Sequence, residues 1–189
     1  MFVFSDFMRR SSETILAAGQ DDVLSDAILN AAALCAAALA DGAPILVCGN
    51  GGSAADAMHI EGELVGRFRR ERRGLNVIAL PSNAATLTAW ANDYDFESVF
   101  ARQVEAYGRP GGVLIGLSTS GNSANVVCAA QAARNADMRV VALTGAGGGA
   151  LARHADVLIA APSADTPMVQ QVHLCCYHAL CDLIEEKVA

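Results

Sequence analysis

Five short runs along the chain are almost wholly apolar: Ile45 to Cys48, Val77 to Leu80, Val113 to Leu117, Val140 to Leu143 and Val157 to Ala160. Their brevity, their β-branched content and their lack of polar residues predict strands buried on both faces. The segments between them carry helical periodicity, so strands alternate with helices. That alternation predicts an α/β fold, a doubly wound, five-stranded parallel sheet with helices on both faces. An Ala-rich stretch from about Asp21 to Ala40 predicts a helix ahead of the first strand, with Asp21 and Asp22 as candidate caps. Further helices are predicted over about Ala124 to Asn135 and about Thr166 to Lys187. No Pro/Ser-rich linker, repeat or low-complexity tract divides the chain, and residues 1–189 are read as a single domain.

In such a sheet the binding crevice lies beyond the carboxyl ends of the strands, near a switch in strand order. Four turns at that edge are rich in glycine and hydroxyl residues: Gly49-Asn50-Gly51-Gly52-Ser53, Pro81-Ser82-Asn83, Ser118-Thr119-Ser120-Gly121-Asn122-Ser123, and Thr144-Gly145-Ala146-Gly147-Gly148-Gly149. The third follows a strand and opens a helix. Its hydroxyls, a flexible Gly121 and the helix N-terminal amides can surround a phosphate without a lysine, since the amides and helix dipole supply the positive field. One or two such hydroxyls would be ordinary helix caps, but this many in six residues point to a ligand. The first turn also satisfies G-x-G-x-x-A through Gly49, Gly51 and Ala54, the pattern of a dinucleotide site. Such a site wants an acid after the second strand, where Pro81, Ser82 and Asn83 stand instead. A small polar ligand near Asn50 and Ser53 suits the glycines better.

The helix opening at Ser53 puts His59 and Glu63 on one face, one turn apart, and the closing helix stacks Gln170, Leu174 and His178 at intervals of four. Two helix faces thus offer His, Glu, Gln and His. This set serves either zinc binding or a general base opposite a general acid, and spacing alone leaves both open. Asn92-Asp93 fits either sugar hydroxyls or a helix end. His173 reads as an interface or core histidine.

Composition narrows the field. Twenty acids against thirteen bases give a net charge of −7, which disfavours a broad nucleic-acid surface. The locally basic stretch from Arg67 to Arg73 is read as a solvated loop, Arg67 set apart. Cysteines 35, 48, 128, 175, 176 and 181 lack C-x-x-C spacing and are read as buried free thiols. The densest apolar stretch, Ala31 to Ala40, is too short to span a bilayer, and the N-terminus has the wrong charge order for a secretory signal. A cytoplasmic protein is expected.

Several longer stretches, CGNGGSAADAMH, GELVGRF, LTAWANDYDFESVFARQVEAYGRPGGVLIGLSTSGNSANV, LTGAGGGALA and VQQVHLCCYHALCDLIE, together resemble the phosphoheptose isomerase branch of the sugar isomerase (SIS) domain family, over nearly the whole chain. The resemblance implies a flavodoxin-like sheet with extra N-terminal helices, usually assembled as a homotetramer whose sites draw on neighbouring subunits. It implies conversion of sedoheptulose 7-phosphate to D-glycero-D-manno-heptose 7-phosphate through an enediol, at the entry to lipopolysaccharide and other surface polysaccharides. By position, Glu63 would be the base and His178 the acid. Ser118, Thr119, Ser120 and Ser123 would hold the phosphate; Asn50, Gly51, Gly52, Ser53, Asn92, Asp93 and Gln170 would orient the sugar, with Arg67 nearby. Some members carry zinc on residues matching His59, Glu63, Gln170 and His178, all present here. The segment Pro167-Met168-Val169 lacks an Arg common before the glutamine, and Ser82-Asn83-Ala84-Ala85 lacks a Thr and Asp common after the second strand. Two other outcomes are consistent with the fold: an isomerase of another ketose phosphate, or a non-catalytic relative that regulates replication initiation by binding a protein. Relatives of the second kind replace the glutamate and histidine that this chain keeps.

Overall fold

The computed structural model describes residues 3–189. Five parallel strands, β1 (Ile45–Cys48), β2 (Val77–Ala79), β3 (Val113–Ser118), β4 (Arg139–Thr144) and β5 (Val157–Ala160), lie in the spatial order β2-β1-β3-β4-β5. Among the described residues seven α-helices surround them: α1 (Phe4–Gly19), α2 (Asp22–Ala40), α3 (Gly52–Val65), α4 (Ala84–Asp93), α5 (Val99–Tyr107), α6 (Ala124–Asn135) and α7 (Thr166–Val188). The second strand closes one residue earlier than the apolar run suggested, because Leu80–Ser82 turns into a 3-10 helix with Pro81 inside it. Asp21 caps α2 by accepting from the amides of Val23 (2.9 Å) and Leu24 (3.1 Å).

Strand residues alternate between two cores. Ile45, Val47, Val113, Ile115 and Leu117 face a layer built on α2, α3 and α7, whereas Leu46, Cys48, Leu114, Val140 and Ala142 face α5 and α6. Each face therefore buries side chains worth about 1.5–3 kcal/mol apiece in transfer free energy, which fixes the sheet between its helices. Helix α2 is long and apolar enough to cross a membrane by length and composition. Its Ala31, Ala32, Cys35, Ala38 and Leu39 are instead packed into the first core with α7. Of the cysteines, 35, 48, 176 and 181 are buried as expected, Cys128 is half-buried, and Cys175 is exposed.

The basic stretch after α3 is in part the solvated loop expected, with Arg67, Arg69, Glu71 and Arg73 exposed, but its backbone and Arg72 are held by the closing helix. Glu185 of α7, fully buried, accepts hydrogen bonds from the backbone amides of Phe68 (2.8 Å), Arg69 (2.8 Å) and Arg70 (3.0 Å). Its Oε1 also pairs with Nη2 of Arg72 at 2.9 Å, and the Arg72 side chain is only 3% exposed. Desolvation alone would raise the Glu185 pKa, but the three amides and Arg72 outweigh it and hold the carboxyl below its ordinary value. Asp182 adds Arg69 (3.1 Å) and Arg70 (2.6 Å) at the surface. The loop is strapped to the closing helix by two carboxylates, Glu185 in the interior and Asp182 at the surface.

Candidate active site

Strand order reverses direction between β1 and β3, so the turns following these two neighbours open onto the crevice of the doubly wound sheet. Their positions are locked together. Asn50, after β1, and Asn125, in the first turn of α6, exchange two amide hydrogen bonds of 2.8 and 2.9 Å. Gly49 has to be glycine, because a Cβ there would sit 2.6 Å from the Ser53 carbonyl oxygen. Gly51 precedes α3 with φ +56°, a left-handed conformation that side chains disfavour.

The hydroxyl-rich turn after β3 is equally constrained. Ser118 is buried and its hydroxyl donates to that of Ser123 at 3.0 Å. Asn122 accepts from the amide of Ala150 at 2.9 Å, and the Gly145 amide donates to the Thr119 carbonyl at 2.9 Å, so the turns after β3 and β4 are tied. Ser123 occupies the N-cap position of α6, yet its side chain caps no amide there. The Ser123 hydroxyl, which accepts from Ser118, is thus not engaged as a cap of α6. Gly121, at φ +67°, lies against the Gly148 carbonyl so closely that no Cβ fits. Gly121→Ala is expected to cost on the order of 1–3 kcal/mol, as thermal unfolding would report.

Toward the C-terminal end of α3, roughly 10–16 Å along the helix from this edge, α3 and α7 meet. Nε2 of His59 lies 3.0 Å from Oε1 of Glu63 and 3.5 Å from Nε2 of His178. One ligand atom from each of these three residues falls within 4.8 Å of the other two. Phe68, set in place by Glu185, stacks on the His178 ring with centroids 5.5 Å apart and planes at 16°. Behind His59, Tyr177 reaches Nδ1 at 2.9 Å and donates to Asp56 at 3.3 Å. Burial raises the Asp56 pKa, against the lowering effects of Tyr177 and His59; burial, then Asp56, pushes the Tyr177 hydroxyl up.

Gln170, half-buried on α7, holds its side-chain amide directly over the Cα of Gly52. A methyl at Gly52 would displace that amide, a flexible end, and little else. Gly52→Ala is therefore expected to raise KM roughly two- to tenfold, the size of one hydrogen bond, without lowering the unfolding temperature. Unchanged KM would remove Gln170 from the site.

Residues 7–145 match the family model described as the SIS domain. Phosphoheptose isomerase of Rhodospirillum rubrum is 52% identical over 162 residues, 86% of each chain. That of Roseiflexus sp. is 55% identical over 147 residues, covering 78% of this chain and 75% of its own. The chain belongs to the SIS domain family, in its phosphoheptose isomerase branch. Solved phosphoheptose isomerases share the fold closely: the Neisseria gonorrhoeae structure superposes with a TM-score of 0.90 at 41% identity, 97% of each chain covered. The Francisella tularensis structure gives 0.92 at 35% identity, covering 97% of this chain and 96% of that one.

Within one SIS domain chain the expected site residues divide into two groups. Asn50, Gly51, Gly52, Ser53, His59, Glu63, Gln170 and His178 lie along α3, its preceding turn and the facing side of α7, while Ser118, Thr119, Ser120 and Ser123 form the adjoining turn. Arg67 instead pairs with Glu71 at 3.1 Å on the exposed loop. Asn92 and Asp93 hydrogen-bond to each other at 2.9 Å at the exposed end of α4. None of these three has a hydrogen bond or ion pair to the His59 cluster among the described residues. His173 is a core histidine: it is fully buried, its Nε2 donates to the Thr144 carbonyl at 3.0 Å, and desolvation lowers its pKa so that it stays neutral. Sequence reasoning missed Asn125, Tyr177 and Glu185. Glu185 stands two helical turns beyond His178, a spacing that was visible, but its partners are far away in the chain.

Proposed function

We propose that this protein interconverts sedoheptulose 7-phosphate and D-glycero-D-manno-heptose 7-phosphate, with Glu63 as the base and His178 as the acid. The observation that carries the reading is the meeting of Glu63 from α3 and His178 from α7 at Nε2 of His59; the serine turn after β3, where the Ser123 side chain caps no amide, offers the phosphate site. The relatives named phosphoheptose isomerase supply the substrate class.

The chemistry follows from these positions. The phosphate docks against Ser118, Thr119, Ser120, Ser123 and the first amides of α6, where the helix dipole favours negative charge. Asn50, Ser53 and Gln170 hold sugar hydroxyls, and Gly51 and Gly52 let the backbone approach them. Glu63 removes a proton from C1 of the open-chain ketose while the C2 carbonyl oxygen gains one from His178, giving the enediol. Return of a proton to C2, with loss of the O1 proton, gives the aldose. Phe68 confines the His178 ring, so the acid keeps its orientation.

The imidazole and carboxylate donors of His59, Glu63 and His178 suit zinc, with Gln170 the fourth ligand that the resemblance implies, and a bound ion would compete for the carboxylate that Glu63 needs as base. When bound, zinc supplies a Lewis acid that polarises substrate oxygen. A homotetramer in the cytoplasm completes the reading. Exposed apolar side chains on α1, Phe4 (68%), Met8 (51%) and Leu16 (61%), support an assembly face, and the free cysteines suit a reducing compartment. In such an assembly Arg67, Asn92 and Asp93 act on a neighbouring subunit's substrate.

Incubation of the protein with sedoheptulose 7-phosphate in deuterated water is expected to place deuterium on the carbon next to the carbonyl. Recovery of unlabelled, unconverted substrate would sink the proposal.

A further inference from the structure

Two side chains joined to the site have no part in the proton transfers described above. Tyr177 is fully buried, and its hydroxyl bridges Nδ1 of His59 (2.9 Å) and Oδ1 of Asp56 (3.3 Å). Oδ2 of Asp56 is buried and has no hydrogen-bond partner. On the opposite edge of the imidazole, Nε2 faces Glu63 and His178. We propose that Tyr177, anchored by Asp56, is a positioning residue that fixes the His59 ring with Nε2 turned toward Glu63 and His178.

His59 needs such a partner. Its side chain is 43% exposed, so packing alone leaves the ring free to turn. Turning it over would carry Nε2 away from Glu63 and set a C–H edge against the Tyr177 oxygen. The hydroxyl at Nδ1 opposes that rotation, and Phe68 and Tyr177 both pack against the His178 ring.

A phenol suits the post because it both donates and accepts. With a proton on Nε2, His59 donates to the Glu63 carboxylate and Tyr177 donates to the bare Nδ1. With the proton on Nδ1, the ring donates to the Tyr177 oxygen, and Tyr177 passes its own hydrogen bond to Asp56. The ring keeps one orientation in both cases. Only the second arrangement satisfies Asp56, and it presents the Nε2 lone pair toward a carboxylate, a repulsive pairing unless a cation offsets it. Asp56 and Tyr177 thereby favour the tautomer that binds a divalent cation; this part rests on the zinc reading given above. Partners that orient metal-binding imidazoles in this way are generally worth about 10–100-fold in metal affinity.

The test uses the full-length protein and three variants, Tyr177→Phe, Asp56→Ala and Asp56→Asn. Long-range proton–nitrogen NMR on the zinc-free protein reads the His59 tautomer. Wild type is expected to populate the Nδ1-protonated tautomer that Tyr177 and Asp56 favour, and Tyr177→Phe to shift toward the Nε2-protonated one. Competition with a chromogenic chelator reads zinc directly: Tyr177→Phe and Asp56→Ala should bind about 10–100-fold more weakly, whereas Asp56→Asn, which keeps an acceptor for Tyr177, should stay near wild type. Circular dichroism checks folding, and if Tyr177→Phe unfolds, the contrast between Asp56→Ala and Asp56→Asn decides. Wild-type tautomer and wild-type zinc affinity in the disrupted variants would overturn the proposal. If the wild type takes up no zinc, the metal reading falls separately and the NMR spectra alone judge Tyr177.

Discussion

Glu63→Gln is expected to lower kcat by about 10²–10⁴-fold, the usual worth of a positioned general base, with KM little changed. The amide keeps the shape of the carboxylate and still reaches His59, 3.0 Å away in the native protein, so the site should remain assembled. What the variant lacks is an oxygen able to take a proton from C1. Deuterium incorporation should disappear together with turnover, whereas sedoheptulose 7-phosphate binding, measured by calorimetry, should persist. Continued exchange in the variant would exclude Glu63 as the base.

Glu185→Ala carries the largest expected effect on stability, a loss of about 3–5 kcal/mol. The size follows from what is left behind: the buried cation of Arg72 without its partner, and the amides of Phe68, Arg69 and Arg70 without their acceptor. For a chain of this length that loss corresponds to a fall in unfolding temperature on the order of 10 °C. Activity should fall as well, since the Phe68 that stacks on His178 is held by this carboxylate. The pH dependence has a definite sign. The folded-state pKa of Glu185 lies below its ordinary value of 4.5, so its contribution is complete above that pH and is lost as pH falls through the folded value. Wild-type stability should therefore drop on acidification below about pH 4.5, and the variant should drop less steeply. Unfolding midpoints measured across that range would show parallel curves if Glu185 were not involved.

Relations within one helix or one turn could be read from the chain, and relations between distant segments could not. The pairing of His59 with Glu63 and the stacking of Gln170 below His178 follow from helical spacing. The serine turn announced its hydroxyls, but only the folded helix start reveals that the Ser123 side chain caps no amide of α6. The basic run from Arg67 to Arg73 is largely exposed as its composition suggests, but its backbone amides and Arg72 are bound to α7, which composition did not reveal. Its partner Glu185 lies more than a hundred residues away, and a charge is buried or exposed according to what packs on it. Arg67, Asn92 and Asp93 matched by resemblance, yet a single chain pairs them with Glu71 or with each other.

By itself the sequence determined the five strands, most helices and the chemistry of the turns, because apolar runs and periodic faces act locally and leave few alternatives. The tertiary structure decided the strand order β2-β1-β3-β4-β5, which brings the turns after β1 and β3 side by side and lets Asn50 reach Asn125. It also decided that α3 and α7 meet, joining Glu63, His59, His178, Tyr177 and Asp56. Those contacts depend on how separate elements share one core, and no local pattern encodes the distance between two helices far apart in the chain.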